Sequence, residues 1–514
     1  MNFRLAFSWR DDAAHYQRRI IVLIVALMVA RLLCAALTPL AYDEAYYWLW
    51  SKNLAAGYYD HPPMVAALIR LGTLITGDTE ELGLRLVCVL LGLPATWAVW
   101  RSADILFADA RLAATAALFF NLTIIVAGGT VLATIDAPLV VASAFVLFYL
   151  AKVAQPGHGA WWLAVGAAVG CALLSKYSAL FFGLGILAWL MIVPEQRRWL
   201  LTPWPWLGGF VAFMLFLPVI LWNAEHGWVS FIKQFGRAAV AQWTPYYLGE
   251  YLAGQLGLAT PSIFVLGVMG LIAFGRGRGG TRTARVLLSA LVWPLAVYFA
   301  WHSLHARVEA NWTAPAYPAF ALAAAAAAHG VDWQGNWARL ADWSRRLAAP
   351  VGLAISGILY LQGMFGIVPL GVIDPTARQL GPGWRSLGAQ IDALRQRVGA
   401  RAVLATSYAA TSWLAFYLPS RPPVVQVNER IRWVNAPEPD RALFQGPLLY
   451  VCKLVCDETD LVRSRFDQFD EIARFPRTRR GVEIETYTVF RVEGLRGDPL
   501  ERSPPPEFVR RATR

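Results

Sequence analysis

Between Tyr42 and Met64 the chain reads YDEAYYWLWSKNLAAGYYDHPPM. Two adjacent carboxylates, Asp43 and Glu44, and an Asp60–His61 pair stand here among seven Tyr and Trp residues, directly behind a long apolar run. A simple connector between membrane helices needs none of these groups, and ionisable side chains clustered at a membrane face are costly enough to mark a working site. A carboxylate there can act as general base towards a hydroxyl. Lys and Arg can stabilise a departing phosphate as its charge develops, and aromatic rings can stack on sugar faces or line a groove for a lipid chain.

Further polar residues fall at the ends of apolar runs. They are Asp136 (ATIDAP), Lys176 (LLSKYS), Glu225 and His226 (WNAEHGW), and His302, His305, Arg307, Glu309 and Asn311 (HSLHARVEANW). Each has a plain structural reading. Asp136 before Ala-Pro suits a helix N-cap, a lone lysine usually snorkels, and Tyr and Trp form belts at any membrane interface. Those readings do not explain why the groups fall on one side once a topology is drawn. The arrangement suits glycosyl transfer from a lipid-phosphate-sugar. Asp43 is then the expected base and Asp136 the second carboxylate, with Glu44 holding the acceptor or a neighbouring base. Lys176, Arg307 and Arg85 are the expected donor-phosphate contacts. Tyr46, Tyr59, Asp60, Glu225, His226, His302, His305, Glu309 and Asn311 are expected to bind sugar or acceptor.

The elements that must position these groups are membrane helices. Hydrophobic residues make up 57% of the chain and charged ones only 16%, and several apolar runs reach the about 20 residues that a span requires. Eleven candidate spans fall at about 20–40, 84–101, 112–128, 137–153, 160–175, 179–194, 206–222, 252–275, 285–301, 312–329 and 350–370. The shorter Pro62–Thr76 segment, interrupted by Arg70, reads as an interfacial helix. The net charge of +12 is scattered through short loops rather than gathered on one face, which excludes a nucleic-acid-binding surface and fits the positive-inside pattern. With the N-terminus cytoplasmic, the inside loops of the membrane domain hold Arg4, Arg10, Arg18, Arg19, Arg101, Arg111, Lys152, Arg197, Arg198, Arg276, Arg278, Arg282, Arg285, Arg339, Arg345 and Arg346, and the outside loops only Lys52, Arg70, Arg85, Lys176, Lys233, Arg237 and Arg307. The expected domains are thus a membrane domain over 1–370 with a first periplasmic loop at 41–83, a periplasmic α/β domain over 371–502, and a disordered tail over 503–514. Strand-like runs at 401–406, 424–427, 448–452 and 482–492, with a helix near 407–417, mark the α/β domain. Cys452 and Cys456 are placed to pair if that domain is extracytoplasmic.

Asp43-Glu44 after the first span, Asp60-His61-Pro62-Pro63, Thr134-Ile135-Asp136-Ala137-Pro138, Leu174-Ser175-Lys176-Tyr177 and Asn311 to Pro318 (NWTAPAYP) together give a resemblance. Over about residues 20–370 the chain resembles bacterial GT-C glycosyltransferases of the protein O-mannosyltransferase-like family, which include lipid A aminoarabinose transferases and rhizobial galacturonosyltransferases. The resemblance implies a GT-C fold and inverting transfer from a polyprenyl-phosphate sugar to an envelope acceptor, lipid A or another glycan, lipid or protein, with Asp43 as the essential carboxylate. In the aminoarabinose transferase pattern a lysine precedes Pro-Pro. Here His61 takes its place and is the implied fourth donor-phosphate contact, although histidine is largely neutral near pH 7 unless a carboxylate raises its pKa. The same pattern has a carboxylate and a histidine around zinc, which implies Asp60 and His226 as a divalent-metal pair. The alternative from another class is a lipid or lipid-linked-sugar flippase.

Overall fold

The computed structural model describes residues 13–157, 159–236, 243–453 and 458–502. The expected tail over 503–514, together with Arg4, Arg10, Arg237 and Cys456, lies outside them. Six helices among the described residues are long and apolar enough to cross a membrane: Ala13–Leu37, Glu81–Phe107, Asp136–Ala154, Trp204–Glu225, Arg282–His302 and Gly335–Phe365. The number reaches eight if the bent pairs Tyr177–Ile192 with Pro194–Leu201 and Tyr246–Ala259 with Pro261–Gly275 each count as one span. The apolar segments expected at 112–128, 160–175 and 312–329 fold as helices of 13 residues, Ala110–Leu122, Trp161–Leu173 and Tyr317–His329. At 1.5 Å per residue each runs only about 20 Å, short of the about 30 Å hydrocarbon core. Met64–Thr76, the expected interfacial helix, is also a short apolar helix.

The chain divides into two compact units. One comprises Met1–Leu33, Leu86–His226 and Arg237–Leu359, and the other Cys34–Arg85, Gly227–Gly236 and Tyr360–Arg514. In the first unit the helix beginning at Ala13 leaves Ile21, Val22, Val25 and Val29 more than half exposed and buries Ile20, Ile24, Leu27 and Met28. An exposed face that apolar, on a helix long enough to cross the hydrocarbon core, fits contact with lipid. The one charge deep in that helix, Arg31, is fully buried and donates to the Asn121 side chain at 2.9 Å and its carbonyl at 2.8 Å. Trp161–Leu173 and Trp204–Glu225 approach closely through glycines. A Cβ on Gly166 would lie 2.0 Å from the Gly208 carbonyl oxygen, the small-residue contact typical of membrane helices.

The second unit carries a five-stranded mixed sheet ordered β2-β1-β3-β5-β4. Its strands are β1 (Val403–Ala405), β2 (Val424–Gln426), β3 (Leu448–Lys453), β4 (Phe466–Arg479) and β5 (Val482–Leu495). β1 runs parallel to β2 and β3, while β5 is antiparallel to β3 and β4. The β4–β5 hairpin turns through Arg480 and Gly481, both at positive φ, as a two-residue turn matched to strand twist requires. The sequence patterns locate every strand but β4, whose run FDQFDEIARFPRTR carries charges and Pro476. Pro476 is tolerated because β4 is the edge strand. The helix Tyr408–Tyr417 follows β1, and Leu404, Val425, Val427, Leu448, Tyr450 and Val492 form the core beside the sheet. Cys452 on β3 is disulfide-bonded.

Candidate active site

The helix Tyr42–Lys52 starts behind an extended Ala41, whose N–H is an orphan donor at the helix entrance. Glu44, in the first turn, reaches back and accepts that N–H at 2.8 Å. Arg85 then grips the same carboxylate, Nε to Oε1 at 2.7 Å and Nη2 to Oε2 at 2.6 Å. Its remaining hydrogens go to the carbonyls of Ala35, Thr38 and Pro39, and neither side chain is exposed at all. This corrects two expectations. Arg85 has no donor left for a phosphate, and Glu44 has no oxygen left for an acceptor; together they fix the end of the helix that presents Asp43.

Asp43 is half-buried and accepts a hydrogen bond from the Tyr408 hydroxyl at 3.3 Å. Burial, and next the nearby Asp60 charge, push its pKa up to about 7 against the opposing pull of Tyr408 and Arg432. Asp60 goes the other way. Burial alone would raise it, but Lys233 and Arg432 hold it well below the usual carboxylate range, and His61 adds to their effect. Arg432 Nη1 donates to both Asp60 oxygens at 3.0 and 2.9 Å, the Tyr46 hydroxyl donates to Oδ2 at 2.9 Å, and Lys233 Nζ donates to Oδ1. Two carboxylates whose environments drive their pKa values apart are the usual signature of divided acid–base roles.

Aromatic rings shape the surroundings. Lys233 Nζ lies 4.0 Å from the ring centre of buried Tyr59, and the Arg432 guanidinium lies 4.6 Å from that of Tyr408. Tyr46 packs against Tyr408 and Trp433 at 5.2 and 5.4 Å. Tyr46, Tyr47, Trp48 and Trp50 are all at most 5% exposed, so the aromatic run is packed inward instead of forming an interfacial belt. Arg432 is delivered by a 3-10 turn, Arg430–Trp433, that follows Glu429 at positive φ, and Glu429 accepts from Arg432 Nε at 2.7 Å.

The first unit holds a separate cluster. Asp136, in the first turn of its helix, accepts from Lys176 Nζ at 2.7 Å and from Asn311 Nδ2 at 2.5 Å. The Asp136 and Lys176 side chains are 6% and 10% exposed. Three residues far apart in sequence thus meet as one hydrogen-bonded group. The other expected residues stand elsewhere in that unit. Arg307 is 65% exposed, between Glu250 at 3.3 Å and Glu309 at 3.8 Å. His302 is buried with its ring stacked on Tyr298, and His305 Nδ1 lies 3.1 Å from the Trp301 carbonyl. Glu225 is exposed, and His226 stacks on Trp222 with Nδ1 2.7 Å from its carbonyl oxygen.

The implied metal does not fit these residues. Both Asp60 oxygens are engaged by cationic donors, a setting that repels a divalent ion. Among the described residues no group of three or more His, Cys, Asp or Glu side chains gathers as a ligand set.

Three residues of the Asp43 cluster carry no role in the sequence reading. Lys233 is counted there only as an outer-loop base, and Tyr408 lies in a helix read for its fold alone. The basic-aromatic run RIRW around Arg432 was the available signal.

A family model described as dolichyl-phosphate-mannose-protein mannosyltransferase matches residues 60–222. The lipid A galacturonosyltransferase RgtD of Rhizobium johnstonii is 27% identical over 377 residues, covering 72% of this chain and 72% of that protein. Among solved structures, ArnT from Cupriavidus metallidurans bound to undecaprenyl phosphate matches with a TM-score of 0.64 at 16% identity, over 95% of this chain and 99% of that one. Its apo form matches at 0.62 and 17% identity, over 93% and 98%. The fold is the GT-C fold of a multi-pass membrane protein, and the resemblance read from the sequence is borne out.

Proposed function

We propose that this chain is an integral membrane glycosyltransferase that moves a sugar from a polyprenyl-phosphate donor to an envelope acceptor, with inversion, at the periplasmic face. The matched solved relative is bound to undecaprenyl phosphate, and the matched curated relative is named for transfer to lipid A. These support the donor and acceptor classes. The periplasmic placement rests on the Arg and Lys bias of the loops, with eleven membrane segments in the domain over 1–370 and an α/β domain over 371–502.

The observation that carries the reading is the carboxylate pair. A group with a pKa near 7 exchanges a proton at working pH, which suits a general base. The acceptor hydroxyl attacks the anomeric carbon and gives its proton to Asp43. The bond from that carbon to the phosphate oxygen breaks, and polyprenyl phosphate leaves with the electron pair. Asp60 stays ionised and holds Lys233 and Arg432 in place, where their charge meets the leaving phosphate. Asp136 is the proposed second carboxylate, with Asn311 bonding it. Lys176 and Arg307 are proposed donor-phosphate contacts, and His61, Tyr46 and Tyr59 complete the surroundings of Asp60. The flippase alternative is not favoured, because the matched family model and curated relative are named transferases.

Incubating purified protein with a polyprenyl-phosphate sugar and an acceptor glycolipid tests the proposal. The expected result is release of polyprenyl phosphate with sugar appearing on the acceptor. Movement of intact lipid-linked sugar across a vesicle membrane without cleavage would establish the flippase instead.

A further inference from the structure

The second unit contains a cavity of about 150 Å³ lined by Trp50 and Tyr58, by Thr411, and by Gln426, Arg430 and Trp433 among others. It is well below the about 300–1,000 Å³ of pockets for drug-sized ligands, so it suits a single ring and not a lipid chain or an oligosaccharide. Trp50 and Tyr58 stack face to face at 4.2 Å, giving the wall a rigid aromatic side. Among the described lining residues none is a carboxylate, whereas two are arginines. Arg432 is occupied by Asp60 and Glu429. Arg430 is not fully used: Nη1 donates to the Gln426 carbonyl at 3.0 Å, Nη2 is 3.9 Å from the exposed Glu438, and Nε has no acceptor.

Two more lining donors are in the same state. Thr411 Oγ1 and Trp50 Nε1 are buried without a hydrogen-bond partner, in residues 2% and 3% exposed. Buried donors left unmade cost their full desolvation, so each such group calls for an explanation. Three of them around one cavity, beside aromatic faces and a guanidinium whose carboxylate neighbour Glu438 lies 3.9 Å away and exposed, match the needs of a ligand rich in acceptors and negatively charged. We infer that this cavity is an acceptor subsite for one anionic sugar ring, bearing a carboxylate or a phosphate. Arg430 and Thr411 bind its oxygens and the aromatic side chains cover its face. The subsite adjoins the carboxylate cluster through Trp433, which packs on Tyr46, and through Arg432, which holds Asp60. The acceptor role rests on the transferase reading; ligand binding does not.

Ligand-observed NMR on the full-length protein in nanodiscs tests it, with galacturonic acid, galactose 6-phosphate and galactose as probes. At least one anionic sugar is expected to bind about tenfold more tightly than galactose, and the better of the two identifies carboxylate or phosphate as the recognised group. Arg430→Gln removes that preference, Arg430→Lys restores part of it, and the isosteric Thr411→Val weakens binding with the fold intact. In turnover, Arg430→Gln raises the acceptor KM about tenfold with kcat little changed. Absence of binding, equal binding of galactose, or unchanged binding by both Arg430→Gln and Thr411→Val would overturn the subsite. A wild-type protein that binds the anionic sugar yet never cleaves donor would overturn the transferase reading and leave the site standing.

Discussion

Asp43 is the residue on which the proposed chemistry turns, and its titration gives it a measurable signature. With a pKa of about 7, it is ionised only as pH rises through neutrality, so kcat/KM falls on the acid side of about pH 7. Asp60, held low, titrates outside that range and contributes no limb there. Asp43→Asn is expected to fold and bind donor yet lose about 10²–10⁴ in kcat. Removing the neighbouring negative charge in Asp60→Asn moves the acid limb to lower pH, and removing the positive charge in Arg432→Gln moves it higher. A limb that stays in place in both variants would assign it to another group. The same shift bears on stability. The folded chain keeps the Asp43 proton up to about pH 7, whereas the unfolded chain releases it near about pH 3.9. The stability from this group is therefore complete below about pH 4 and lost as pH rises through 7. Asp43→Asn is expected to unfold at a higher temperature than wild type at pH 8, and the difference should vanish near pH 4.

At the scale of elements, the helix Tyr42–Lys52 is held at its entrance by the buried Glu44–Arg85 pair. Removing one partner of a buried pair strands the other charge and costs about 3–5 kcal/mol. Arg85→Met should therefore lower the thermal midpoint clearly, and Glu44→Gln less so, while protein that remains folded keeps its donor affinity. The double variant Glu44→Leu with Arg85→Met should recover part of the loss in a double-mutant cycle. A fall in donor affinity without loss of stability would return Arg85 to the phosphate. Lys176→Ala also strands the largely buried Asp136, so it is expected to lower stability and, unlike Arg85→Met, to weaken donor binding in the protein that remains folded, read by donor titration.

For the whole molecule, the orientation can be checked directly. Ser407 is exposed in the second unit. A single cysteine placed there should react with an impermeant reagent in intact spheroplasts; reaction only after lysis would reverse the topology. The membrane character itself needs no such test, since the exposed faces of the long helices are apolar.

Composition and local pattern determine much of this protein. The apolar runs announce the helices because a span must be apolar along its length; β1, β2 and β3 are legible as short, mainly apolar runs, and β5 as a longer run rich in β-branched and aromatic residues. Strand β4 is not, because an edge strand faces solvent and carries charges that read as loop. The first-loop carboxylates stood out by type and position, since charge beside a membrane needs a reason. Their division of labour was not readable there. Glu44 and Asp43 are neighbours in sequence, yet one is neutralised by an arginine 41 residues away and the other is left with a tyrosine hydroxyl 365 residues away. Asp60 became the fixed charge, and not a metal ligand, because Arg432 arrives from 372 residues away. The pKa of a carboxylate depends on which charges and how much burial surround it in space, and those partners were brought together only by the tertiary fold.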